Sequence, residues 1–266
     1  MDASAAQPMS QNHVPTVAVE ASGFGVHCAG KALLSDITLQ VLSNQVTAII
    51  GPTESGKSLF LKCINRLAEL ESPLHITGQL KVFGQHVYAA KVELPELRQR
   101  VGMIFSHPTH PVVSIYDNVA LAPRLSGVAD RHEIAHIVEQ KLKQVGLWSQ
   151  LDDRLSDPVS TLPTETQQRI CVARVLAAEP VLLLMDQPTL GLDYPSALHF
   201  EDLICELAVH YPIILTAQTP QQAAHVADVT AFFWAGRLVE IGTTEQLITY
   251  PKSPQTEAYV SGRYNT

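Results

Sequence analysis

The stretch that most constrains this chain runs Val46-Thr47-Ala48-Ile49-Ile50, then Gly51-Pro52-Thr53-Glu54-Ser55-Gly56-Lys57-Ser58-Leu59. An apolar, β-branched run ends at a glycine, and Gly-Lys-Ser opens a segment whose Leu61, Ile64 and Leu67 share one helical face. Strand, loop and helix in that order predict a phosphate-binding loop. The backbone N–H groups from Gly51 to Leu59 would wrap a di- or triphosphate, and the helix N-terminus would add a favourable dipole. Lys57 offers a point charge to the phosphates and Ser58 a hydroxyl to magnesium. Glu54 is the odd member, because a carboxylate beside phosphates is unfavourable unless it points outward.

A chain of 266 residues can bury a large core, and one α/β domain with sub-lobes is expected. The net charge of −8 and the scattered basic residues argue against nucleic acid or an anionic lipid surface as a partner. Cys28, Cys63, Cys171 and Cys205 are far apart with no C-x-x-C pair, which suits reduced thiols. No apolar run approaches the roughly twenty residues of a membrane helix, and the first residues lack a basic and an apolar signal region, so no direct membrane insertion is expected.

Along the chain, residues 1 to 14 read as a flexible leader and 15 to 266 as a single nucleotide-binding domain. Alternation in Thr16–Val19 and Ile37–Val41 predicts antiparallel strands, Gly78–Gly84 a short strand, and Val101–Phe105 an apolar one. The segment Ser106-His107-Pro108-Thr109-His110-Pro111 predicts a stiff, exposed loop. Ile134, Ile137, Val138, Leu142 and Val145 keep helical spacing up to Gly146, a C′ glycine. A helix over Gln167–Ala178 leads into Val181–Asp186, an apolar run ended by a carboxylate and so a strand buried on both faces. A helix (Ser196–Ala208), a strand (Ile213–Thr216), a short helix (Gln221–Asp228) and a hairpin around Ala235-Gly236-Arg237 complete an alternation that predicts a mostly parallel sheet.

This order of elements resembles an ABC-transporter ATPase, and several stretches resemble the ATP-binding subunit of the Pst-type phosphate importers. Val101-Gly-Met-Ile-Phe, Ser114-Ile-Tyr-Asp-Asn-Val-Ala with Pro123-Arg-Leu, Gln221-Gln-Ala-Ala, Thr230-Ala-Phe-Phe and the terminal Gly262-Arg-Tyr carry the likeness. The resemblance implies a P-loop NTPase (RecA-like) core, an antiparallel β lobe and an inserted helical lobe over about 106 to 176. It also implies ATP and Mg2+ as cofactors, Ser58 and Asp186 as the magnesium-directing pair, and transmembrane permease subunits as partners. In that family two subunits sandwich ATP, each site combining one P-loop with the other chain's signature loop.

The departures from the family are selective. Gln187 stands where the water-polarising glutamate belongs, Gln218 where the switch histidine does, and Ser106 where a glutamine senses magnesium. The signature reads Leu162-Pro163-Thr164-Glu165-Thr166, and the adenine-stacking aromatic falls near Cys28, beside His27. A neutral amide at 187 cannot accept a proton, and a lost base typically costs 10²- to 10⁴-fold in rate. Pro163 has no N–H for a γ-phosphate, and Thr164 and Glu165 replace glycines that allow close approach. At an effective dielectric near 20, charges about 4 Å apart repel by roughly 4 kcal/mol, so Glu165 is expected to hold part of the anion position and discourage ATP opposite it.

The expectation is an ATP-binding subunit of a phosphate-type importer with impaired hydrolysis. It would form a heterodimer with an intact sister subunit, peripheral on the cytoplasmic face of the inner (plasma) membrane. The alternatives are a soluble P-loop regulatory module and a weakly active phosphate-importing ATPase.

Overall fold

The computed structural model of the chain describes residues 16–263. The leader and Tyr264 of the terminal Gly-Arg-Tyr lie outside the described residues. Two long strands, β1 (Val17–Cys28) and β2 (Lys31–Leu42), pair antiparallel and lead into β3 (Val46–Ile50), the fully buried nucleotide-loop strand, and α1 (Lys57–Ile64). Next come β4 (His75–Val82), the two-residue β5 (Gln85–His86), α2 (Leu94–Arg100) and β6 (Val101–Ile104). The helical stretch holds α3 (Ile115–Leu125), α4 (Arg131–Gln144), α5 (Trp148–Leu151) and α6 (Thr164–Leu176). The chain then alternates through β7 (Leu182–Asp186), α7 (Tyr194–Ala208), β8 (Ile213–Thr216) and α8 (Pro220–Val226). It closes with β9 (Val229–Trp234), β10 (Arg237–Thr243), α9 (Thr244–Thr249) and α10 (Pro254–Val260).

Two sheets result. A four-stranded antiparallel one has the order β2-β1-β4-β5, and a six-stranded one has the order β10-β9-β3-β8-β7-β6. Within the larger sheet β9, β3, β8, β7 and β6 run parallel, and only β10 is antiparallel. The apolar run of β7 is buried on both faces, as its composition demands. Leu183 and Met185 pack with Val138, Leu142, Ile170, Leu176 and Phe200 of the helices, whereas Leu182 and Leu184 pack with Phe60, Phe24 and Leu80 on the α1 and β-lobe side. The α/β core, antiparallel β lobe and inserted helices of the sequence reading are all present.

One boundary differs, for a physical reason. The helix after the signature region begins at Thr164, three residues before the predicted Gln167, with Pro163 as its N-cap, because proline's fixed φ suits a helix start. The loop after β6 is exposed or half-buried from Ser106 to Pro111, as its composition demands, and hydrogen bonds stiffen it. Gln168 donates to Phe105 O at 2.6 Å, Arg174 donates to Thr109 O, Asn118 donates to Val112 O at 2.7 Å, and His110 Nε2 lies 3.0 Å from Gln167 Oε1.

Candidate nucleotide-binding site

The loop after β3 depends on two glycines with positive φ. Gly51 has φ 147°, and a Cβ there would lie 2.1 Å from Phe233 O, so no side chain fits. Gly56, φ 97°, caps α1 and lets Lys57 begin the helix. Glu54 is exposed and left-handed, with φ 62°. The β9–β10 turn holds the loop from behind, Gly236 N donating to Ser55 O at 3.0 Å while Gly236 O accepts from Ser35 N at 2.8 Å. Gly51 and Ser55 are buried in this packing and Pro52 is half-buried. Thr53, Glu54, Lys57, Ser58 and Leu59 line a cavity of about 310 Å³, completed by Leu33 of β2 and by Gln187.

Lys57 is folded onto its own loop. Its Nζ donates to Gly51 O and Pro52 O, both at 2.6 Å, and lies 3.2 Å from Ser55 Oγ. Burial pushes the ammonium down to about 8, and the Asp186 carboxylate pulls in the opposite direction. Ser58 Oγ and Thr216 Oγ1 each donate to Asp186 Oδ1 at 2.7 Å, and Thr216 Oγ1 accepts from Gln187 N at 2.9 Å. Asp186 and Thr216 are register partners across β7 and β8. The hydroxyl of Ser58 and the carboxylate of Asp186 thus converge as hard oxygen groups that would suit a magnesium ion. Gln187, φ 46°, follows directly and lines the cavity.

The remaining sequence candidates do not gather there. Gln218 is exposed and lines a separate cavity of about 560 Å³ between α7 and α8, beside Thr189, Leu192 and the Glu201–His225 pair. Ala217, 1% exposed and hydrogen-bonded to Ile49 O, is the residue that follows β8 directly. Ser106 is half-buried just past β6. Pro163, Thr164 and Glu165 open α6.

Glu165, expected to hold part of the anion position, is engaged within its own helix. Its carboxylate accepts from Arg169 Nε at 2.7 Å, one helical turn on, and Arg169 also donates to Val145 O at 3.1 Å and His199 O at 2.8 Å. The carboxylate thus serves both the first turn of α6 and a cation four residues on. His27 pairs with His75 across β1 and β4, rings 6.1 Å apart. It shares a strand face with Gly25, whereas Val26 and Cys28 face the other way.

Two participants escaped the sequence reading, Thr216 and Tyr259, and so did Gln222 in the separate cavity. A threonine ending an apolar strand was the signal for Thr216. Gln222 is buried, accepting from Gln218 N at 2.9 Å and donating to Thr189 Oγ1 at 2.7 Å, within a segment quoted only for its likeness. Tyr259, close to the chain's end, carries no local motif, yet its hydroxyl donates to Gly51 O at 3.2 Å.

Comparison with known proteins agrees with this geometry. The family model described as "ABC transporter" matches residues 34–190. The chain is 44% identical over 231 residues, 87% of its length and 92% of the relative's, to "Phosphate import ATP-binding protein PstB 3" from each of two strains of Streptococcus pneumoniae. Among solved structures, cbiO1 from Clostridium perfringens, described as part of the ABC transporter complex cbiONQ, superposes with TM-score 0.77 at 22% identity, covering 88% of this chain and 92% of that one. A bacterial Atm1-family ABC exporter with ATP bound superposes with TM-score 0.76 at 21% identity over 98% of this chain and 45% of the exporter chain.

Proposed function

Since this chain belongs to the ABC transporter family, among the ATP-binding subunits of Pst type, we propose that it is the ATP-binding subunit of a phosphate import complex whose own hydrolytic half-site is weakened. Phosphate as the transported solute is supported by the names of its relatives. The observation that carries the weakened half-site is Gln187. It lines the loop cavity beside the Ser58–Asp186 pair, where an attacking water would need a base, and an amide takes no proton. Mg·ATP binding rests on Gly51 to Leu59 with Lys57, Ser58 and Asp186. Magnesium, when bound, supplies charge neutralisation between the phosphates. Ser58 and Asp186 hold it, Thr216 orients the Asp186 carboxylate, and Lys57 leaves the loop carbonyls for phosphate.

A sister subunit with an intact signature and base completes the dimer, because Pro163-Thr164-Glu165 offers no glycine-lined cradle to ATP. Docking to permease subunits on the cytoplasmic face of the membrane is supported by exposed apolar residues. Val113 and Leu125 are 73% and 80% exposed, and Leu125 lies on a groove with Met103, Leu121 and Val175. Among the described residues no helix is long and apolar enough to cross a membrane. Affinity capture of the chain tests the assembly. Recovery of permease subunits together with a second, different ATP-binding chain is expected, and capture of copies of this chain alone, without permease, would contradict it.

A further inference from the structure

In a loop that presents its N–H groups to an anion, the carbonyls must find partners on the other side, since a buried carbonyl without one is costly. Gly51 O opens this loop, and its residue is fully packed against Phe233. Two donors converge on it, Lys57 Nζ at 2.6 Å and the Tyr259 hydroxyl at 3.2 Å. The two differ in what nucleotide does to them. Lys57 must leave the carbonyls to reach phosphate, whereas the Tyr259 hydroxyl is held from the core side of the loop. The tyrosine is 5% exposed, and its ring lies 5.1 Å from that of Phe232, centroid to centroid, in β9, the strand beside β3. A rigid platform in the core therefore fixes the hydroxyl, although it arrives from α10, more than 200 residues further along the chain.

From this geometry we infer that Tyr259 is a positioning residue for nucleotide binding, the donor that keeps Gly51 O satisfied once Lys57 turns to the phosphates. The inference rests on the loop binding nucleotide as proposed above. It makes the two states unequal. Without nucleotide, removal of the hydroxyl leaves Gly51 O with Lys57 as its donor. With nucleotide, the same removal leaves a buried carbonyl bare, so the penalty falls on the bound state. C-terminal helix α10 thereby becomes part of the nucleotide site, and anything that displaces it lowers affinity without touching the loop.

Tyr259→Phe keeps the ring and deletes the hydroxyl. Isothermal titration with Mg·ATP and melting of the nucleotide-free protein, on the full chain, separate the possibilities. The inference expects Kd to rise about tenfold while the nucleotide-free Tm stays within about 2 °C of the parent. Tyr259→Leu, which also loses the ring's packing, should lower both affinity and Tm. An unchanged Kd in Tyr259→Phe overturns the inference, as does a Kd rise accompanied by a fall of more than about 4 °C in nucleotide-free Tm, which would make the tyrosine a core residue only. If the parent chain shows no saturable Mg·ATP binding, the nucleotide-binding reading fails with it. If the parent binds and the variant binds equally, only the role of Tyr259 fails.

Discussion

Lys57 carries a titration signature that a solvent-exposed lysine lacks. Its ammonium is held at about 8 in the nucleotide-free protein, chiefly by burial, against an ordinary 10.5 in the unfolded chain. Between those values the unfolded chain binds more protons, so this residue's contribution to stability rises with pH from about 8 to 10.5. Bound phosphate favours the cation and reverses the shift. Nucleotide binding should therefore take up a proton near pH 8 to 9 and weaken as pH climbs above about 8, by at most tenfold per unit. Titration calorimetry in buffers of differing ionisation enthalpy measures the proton uptake directly, and a Kd flat from pH 7 to 10 would contradict it. Gln187 leads to a second expectation at this scale. Gln187→Glu restores a carboxylate next to Asp186 and should raise phosphate release in the assembled complex by about tenfold or more. No increase would show that Gln187 does not limit turnover.

Helix α6 shows how an element hides its chemistry. Arg169 draws in Glu165 from its own helix, Val145 O beyond the end of α4, and His199 O of α7, so one guanidinium ties three helices at a junction where the pair is mostly buried. Arg169→Ala should cost about 2 kcal/mol and lower Tm by roughly 5 °C. Glu165→Gln should cost less, because the arginine keeps its two carbonyls. Equal Tm values for parent and Arg169→Ala in a melting experiment would show the junction to be dispensable. The same helix marks what sequence pattern reveals and conceals. Apolar β7, helical α4 with Gly146 at φ 71°, and the glycine loop were legible because each follows from local periodicity or a backbone demand. Helices α2 and α3 were not, since Pro95 sits at the start of one and Pro123 inside the other, and proline reads as a breaker. Ser114, which caps α3 by accepting from Asp117 N at 3.0 Å, was the available start signal. The charge on Glu165 was readable but its partner was not, because an i,i+4 pair and an open anion site are written with the same residues.

At the scale of the whole molecule, the two sheets and the C-terminal helix meet at one loop. Strand β3 leads into the cradle, the β9–β10 turn bonds it from behind, and α10 reaches back to its first carbonyl. Long-range contacts of this kind leave no mark in a local pattern, which explains why the loop was found at once and the bonds to it from Gly236 and Tyr259 only in three dimensions. They also set how the subunit works. The cradle, Ser58 and Asp186 are arranged for Mg·ATP, and on the function proposed above Gln187 beside them makes a subunit that holds nucleotide without cutting it. A single-turnover experiment reads both halves of that statement. Labelled ATP is mixed with excess purified chain and magnesium, and the bound nucleotide is identified over time. The expected result is saturable retention of intact ATP, with conversion slower than about 0.1 s⁻¹, well under the ordinary range of roughly 1–10² s⁻¹. Rapid conversion to ADP within that range by the chain alone, or no retention of ATP at all, would contradict the account.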